Sequence, residues 1–174
     1  MKKTAFTLIE LIISIVILSI LMLFLYKSYA TLNRSNTLLK TQKEKLIKIE
    51  NIKKCIYLDF AMAIRNGNSY IQILRQDKRK DVVFMQTKHS LHKRINPYIA
   101  YIFKDKVLYR LESLKPFKVY PLGTDSEFVG DRLGKIKIFR TYKSREKKSN
   151  LYLVHILFQD KREILLKTKV LSSY

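Results

Sequence analysis

The chain has 174 residues, a formal net charge of +21 at pH 7 and 47% hydrophobic residues, enough for a membrane segment and about one small domain. Four Gly and three Pro exclude a linker-rich or disordered chain, and a single cysteine, Cys55, excludes an intrachain disulfide. The basic excess suits acidic partners, anionic lipid head groups or nucleic acid, but reads more simply as a well-solvated surface.

The chain opens with the short basic stretch Met1-Lys2-Lys3-Thr4-Ala5 and continues Phe6-Thr7-Leu8-Ile9-Glu10. From Phe6 to Tyr26 there are 21 residues, and Glu10 is their only charge. As a helix they would span about 31 Å, the thickness of a hydrocarbon core. A carboxylate in such a helix costs about 2.5 kcal/mol or more on insertion, so Glu10 marks a functional site that needs a partner. Cleavage after Ala5 would make Phe6 the N-terminus and its α-amino group a cation. Pairing Glu10 of one subunit with the Phe6 amine of the next would lower the joint desolvation cost and fix their register. Ser28-Tyr29-Ala30 offers an ordinary signal-peptide cleavage site instead, and a plain single-pass anchor is a further alternative. Both leave Glu10 without a role.

Residues 27–65 contain no Gly or Pro, so the helix is expected to continue to about Arg65 and stop at Asn66-Gly67-Asn68. Leu32, Leu39 and Leu46, then Ile49, Ile52, Ile56, Phe60 and Ala63, form a stripe that predicts a face laid on a later part of the fold. Cys55 is expected to be a small buried group on that helix. Beyond Tyr26 lie 33 basic and 13 acidic side chains.

After Asn68 the period changes to two. Strands are predicted at 70–75, 82–87, 98–104, 107–112, 135–142, 151–158 and 163–171, with 113–131 as a long loop. Asp105-Lys106 is a two-residue hairpin turn, and the segments 76–80 and 159–162 are further turns. One helix followed by hairpins predicts an α+β fold, the helix packed on an antiparallel sheet.

No nucleophile elbow, phosphate loop or metal-ligand cluster is present, so the chain is read as a non-enzyme with no catalytic residue and no cofactor. His89 and His92 lack a completing ligand set, and no metal site is assigned. Asp125, Glu127 and Asp131 could offer oxygens to calcium, but read more simply as a solvated loop. Residues 135–148 interleave Lys and Arg with aromatics, which would suit DNA phosphates or the outer face of an amphipathic strand.

Lys2-Lys3 through Glu10 and the apolar run resemble the class III leader of type IV pilins and pseudopilins. The resemblance implies residues 1–5 as leader, 6–26 as the transmembrane half of the helix, 27–66 as its periplasmic half and 67–174 as the globular sheet domain. It implies a prepilin peptidase of the inner membrane that cuts between Ala5 and Phe6 and N-methylates Phe6, and Glu10 as the assembly residue. The usual Gly before the cut is replaced by Ala5, and the mid-helix Pro of many major pilins is missing near Lys27, which suggests a minor subunit. The implied partners are other pilin or pseudopilin subunits, the peptidase, an inner-membrane assembly platform and membrane lipid, with DNA as a less favoured partner. The implied topology is single-pass, with a cytoplasmic N-terminus before cleavage and a periplasmic C-terminal domain. The hairpin from Tyr101 to Glu112 is similar to the J-type minor pseudopilins of type II secretion, and Glu10 disfavours the K-type tip subunit. A subunit that initiates or caps a secretion pseudopilus is thus the first reading, and a DNA-binding subunit of an uptake pilus the second.

Overall fold

No glycine or proline precedes Gly67, and helix α1 (Leu8–Ala61) runs unbroken through 54 residues. The computed structural model describes residues 7–67, 69–117, 127–146 and 149–171. These divide into two compact units, one ending at Ile49 and the other starting at Glu50. In the first, every apolar side chain from Leu8 to Tyr26 is exposed, and Leu32, Leu39 and Leu46 are each 63% exposed. This helix is long and apolar enough to cross a membrane.

The second unit holds the end of α1 and eight strands: β1 (Ala63–Ile64), β2 (Ile71–Asp77), β3 (Lys80–Thr87), β4 (Tyr98–Lys104), β5 (Val107–Ser113), β6 (Phe128–Lys143), β7 (Leu151–Phe158) and β8 (Glu163–Lys169). They form one sheet in the order β1-β3-β4-β5-β6-β7-β8, with β2 also paired to β3. All named pairings are antiparallel except one bridge, Lys80 to Phe139, where the start of β3 meets β6. Ile52, Ile56 and Phe60 of α1 are buried, Phe60 between Tyr101 and Tyr152 at centroid separations of 6.4 and 6.0 Å. The expected α+β architecture is present, and Cys55 is buried on the helix as predicted.

Several boundaries differ from expectation; the expected turn 76–80 shrinks to Lys78-Arg79, because β2 runs to Asp77 and β3 starts at Lys80 with Asp77 paired to Lys80. Helix α1 ends at Ala61, before the Asn66-Gly67 stop. Its last carbonyls are taken by distant amides: Leu171 N donates to Ala61 O at 2.8 Å and Lys88 N to Met62 O at 3.1 Å. The chain then pairs Ala63 and Ile64 with Thr87 and Gln86 of β3. Gly67, at φ 61°, instead serves the turn closed by the Asn66–Ser69 bridge. The stripe is buried only from Ile52 onward; Ile49 is half-buried and the earlier leucines are exposed.

Strand β6 begins at Phe128, so the end of the predicted loop 113–131 is strand. Its two glycines are not turn residues: between the pairs Leu108–Gly134 and Tyr109–Arg132 the register shifts, and Leu133 is an extra, buried residue. Gly134 has φ 153°, and a Cβ there would lie 3.2 Å from the Phe158 ring. At the other end, β8 stops at Lys169 rather than 171, and Val170 N donates to Asn150 O. The predicted Asp105-Lys106 turn is present, with φ 50° and 63°, the mirror-type hairpin turn.

Candidate functional site

The first turn of α1 is closed by Thr7 and Glu10. Thr7 N and Thr7 Oγ1 both donate to Glu10 Oε2 at 2.9 Å, and Glu10 N donates to Thr7 Oγ1 at 3.4 Å. This is a capping box: a Thr and a Glu three residues apart satisfy each other's orphan amides. Both Thr7 bonds end on one carboxylate oxygen, and Oε1 accepts from no described residue. The carboxylate can therefore cap its own helix and still accept a cation. Farther along, Ser14 Oγ donates to Glu10 O and Ser19 Oγ to Ile15 O, each at 2.8 Å, so the two serine hydroxyls of the apolar run are satisfied within the helix. The predicted cleavage pair, Ala5 and Phe6, lies outside the described residues.

The globular unit contains a charged cluster that sequence reasoning missed. Asp59 of α1, Tyr101 of β4, and Arg110 and Glu112 of β5 are all fully buried. Arg110 donates from Nε to Asp59 Oδ2 at 2.7 Å, from Nη2 to Asp59 Oδ1 at 3.1 Å and from Nη1 to Glu112 Oε2 at 2.7 Å. Tyr101 OH donates to Asp59 Oδ2 at 2.5 Å, and His89 Nδ1 lies 2.6 Å from Asp59 Oδ1. Burial opposes the Arg110 charge, but the hydrogen bonds and charge of Asp59 outweigh it and raise its pKa above the ordinary guanidinium value. Burial likewise pushes the Glu112 carboxyl up, but Ser90, Arg110 and the Leu91 amide hold it below its usual 4.5. Burial, then the charge of Asp59, pushes the Tyr101 phenol well above 10.0 and the Cys55 thiol from 9.0 up to about 12.

The sequence carries part of this signal. Asp59 sits three residues after Ile56 and one before Phe60, on the buried stripe, and Arg110 and Glu112 share their strand face with buried Leu108. Charges at inward positions must be paired. Arg110 and Glu112 are two residues apart, but the partners of Asp59 come from 30 to 51 residues away, which local pattern does not reveal.

Cys55, Asp59 and His89 offer three ligand atoms within 4.8 Å of one another. Both Asp59 oxygens are already occupied, and the Arg110 guanidinium lies 2.7 Å away, so the trio is part of the ion-pair cluster. Of the three loop carboxylates, two are described, and each has a cationic or imidazole partner. Asp125 lies outside the described residues, Glu127 is paired with Lys115 at 4.0 Å, and Asp131 is on β6, with Oδ2 at 2.9 Å from His92 Nε2. In the interleaved basic segment, Lys135, Lys137, Tyr142 and Lys143 are exposed on β6, while Lys147 and Lys148 lie outside the described residues. Arg140 is instead committed to buried Asp81, which also accepts from Thr141 N at 2.7 Å and fixes the junction of β3 with β6.

Comparison with known families matches residues 1–26 to the model of the prokaryotic N-terminal methylation motif. The match supports the resemblance to type IV pilins through the leader, over 26 of 174 residues. No curated protein matches the chain.

Proposed function

We propose that this chain is a type IV pilin-like structural subunit, a minor pilin or pseudopilin that helps initiate or cap a periplasmic filament for type II protein secretion. The observation that carries the reading is the methylation motif over residues 1–26, with Glu10 as the sole charge of an otherwise apolar run. Residues 1–5 are the leader, and the prepilin peptidase cuts between Ala5 and Phe6 and methylates the new Phe6 amine. Residues 6–26 anchor the subunit in the inner membrane with the globular domain periplasmic. Glu10 accepts the N-terminal ammonium of a neighbouring subunit. The J-type assignment follows the Tyr101–Glu112 hairpin. The chain acts as a substrate of the peptidase and as a building unit, not as a catalyst.

Intact and N-terminal mass spectrometry of the protein from its host tests this reading. A mature chain starting at a methylated Phe6 is expected. A chain still starting at Met1, or starting at Thr31, overturns it.

The net charge of +21 and the exposed basic face of β6 favour a second reading, a DNA-binding subunit of an uptake pilus. Phosphate contacts would give an affinity for duplex DNA that falls steeply with salt, and no binding at low ionic strength eliminates it. Neighbouring DNA-uptake genes would support this reading alone.

A further inference from the structure

Side chains alternate between the two faces of β3. Val83 stands opposite Tyr101, whose ring touches Phe60, so Val83 faces the helix side of the sheet. Phe84 and Gln86 therefore point to the other face. Gln72 of β2 stands opposite Phe84, and Tyr98 of β4 stands opposite Gln86, so the four form one patch across three strands. The Phe117 ring, beyond the end of β5, packs on Phe84 at a centroid separation of 5.9 Å. Asn66 and Ser69, bridged across the Gly67 turn, line the same space.

The space is a cavity of about 290 Å³, near the lower end of the roughly 300–1,000 Å³ usual for small-molecule sites. No charged side chain lines it, in a chain of which 28% is charged. Its polar groups are also unused. Among the described residues, the amides of Asn66 and Gln72 and the hydroxyls of Ser69 and Tyr98 make no hydrogen bond, and Gln86 uses only Nε2, which donates to Asn96 O at 3.0 Å.

We infer that this cavity binds one or two rings of an uncharged sugar. An amide or a hydroxyl group both donates and accepts, which matches a ligand rimmed with hydroxyls; a carboxylate would only accept and an ammonium only donate. The rings of Phe84, Tyr98 and Phe117 offer flat apolar surface to the C–H face of a pyranose. A nucleotide or other charged metabolite would find no counter-charge in this lining. A wholly apolar ligand would leave the amides and hydroxyls desolvated and unpaired. Strand register holds the patch in place before a ligand arrives, so little ordering is required on binding. None of these residues lies in the segment 1–26, so the site stands whether or not the chain is processed as a pilin.

The full chain in a zwitterionic detergent without sugar head groups is titrated with maltotriose, cellotriose and tri-N-acetylchitotriose, and contact is read by saturation-transfer NMR. The expected result is saturable transfer to the ring C–H protons of at least one of the three, unchanged by high salt because no ion pair is involved. Gln72→Ala, at an exposed position of β2, should weaken binding about tenfold, and Phe117→Leu should weaken it similarly. Lys137→Ala, outside the cavity, should bind as the parent chain does. Circular dichroism checks that each variant is folded, and if one is not, the other decides. No saturable transfer from any of the three sugars overturns the inference. Binding unchanged in the folded variants overturns it by placing the sugar elsewhere, and binding abolished by high salt overturns it in favour of the basic surface. Tighter, Gln72-dependent binding of a neutral tripeptide blocked at both ends overturns it in favour of a protein partner.

Discussion

Arg110 of β5 closes on Asp59 of α1 through two hydrogen bonds, at 2.7 and 3.1 Å, with both side chains fully buried. This pair ties the end of the helix to the middle of the sheet. It also orders the β3–β4 loop, because Asp59 and Glu112 each hold that loop in addition to Arg110.

Breaking the pair should be costly. Arg110→Met leaves two buried carboxylates without their cation and should destabilise the domain by about 3–5 kcal/mol. Asp59→Asn should cost a comparable amount, and the double variant much less than the sum of the two. Denaturant unfolding of the three variants checks this, and strict additivity would contradict the shared interaction.

Phe60 touches Tyr101 and Tyr152 and is fully buried. A fragment starting at Arg34 is expected to be soluble and folded, because the compact second unit begins at Glu50. In that fragment Phe60→Ala should cost about 3–5 kcal/mol, the usual loss for a core aromatic. A loss below about 0.5 kcal/mol, the level of an ordinary surface change, would show that Phe60 is not a core residue.

Stability should fall at both ends of the pH scale. The Glu112 carboxyl is held below 4.5, so its contribution is present above 4.5 and is lost as the pH falls through the lower folded value. The Cys55 thiol is pushed from 9.0 up to about 12, so stability is full below 9.0 and declines as the pH rises from there towards 12. Cys55→Ala should reduce this alkaline loss without abolishing it, because Tyr101 is also raised, from 10.0. Denaturation midpoints measured across the pH range decide; an unchanged alkaline slope in Cys55→Ala would assign the whole loss elsewhere.

Glu10 has two separable roles, cap and charge. Glu10→Leu removes both, whereas Glu10→Gln keeps an acceptor for Thr7 and removes only the charge. Both variants should stay in the membrane, since anchoring is apolar. Both should lose crosslinks to partner subunits if the carboxylate pairs with a neighbouring N-terminus. Normal crosslinking by Glu10→Gln would assign Glu10 to capping alone.

The leader, the apolar run, the uninterrupted helix and most of the strands were legible in the sequence. Each is set by local chemistry: the absence of Gly and Pro before Gly67, a run of 21 residues with one charge, and period-two alternation broken by turn residues. The Thr7–Glu10 box is equally local, three residues from donor to acceptor. Tertiary structure decided where α1 ends, because Leu171 and Lys88 supply amides to the helix terminus from far along the chain. It decided that Gly130 and Gly134 belong to a strand, because β5 and the Phe158 ring approach them there. It also decided the Asp59–Arg110–Glu112 cluster and the loop held on it. A charge at an inward position signals that a partner must exist, but its identity depends on which strands and helix face meet, a non-local outcome of packing.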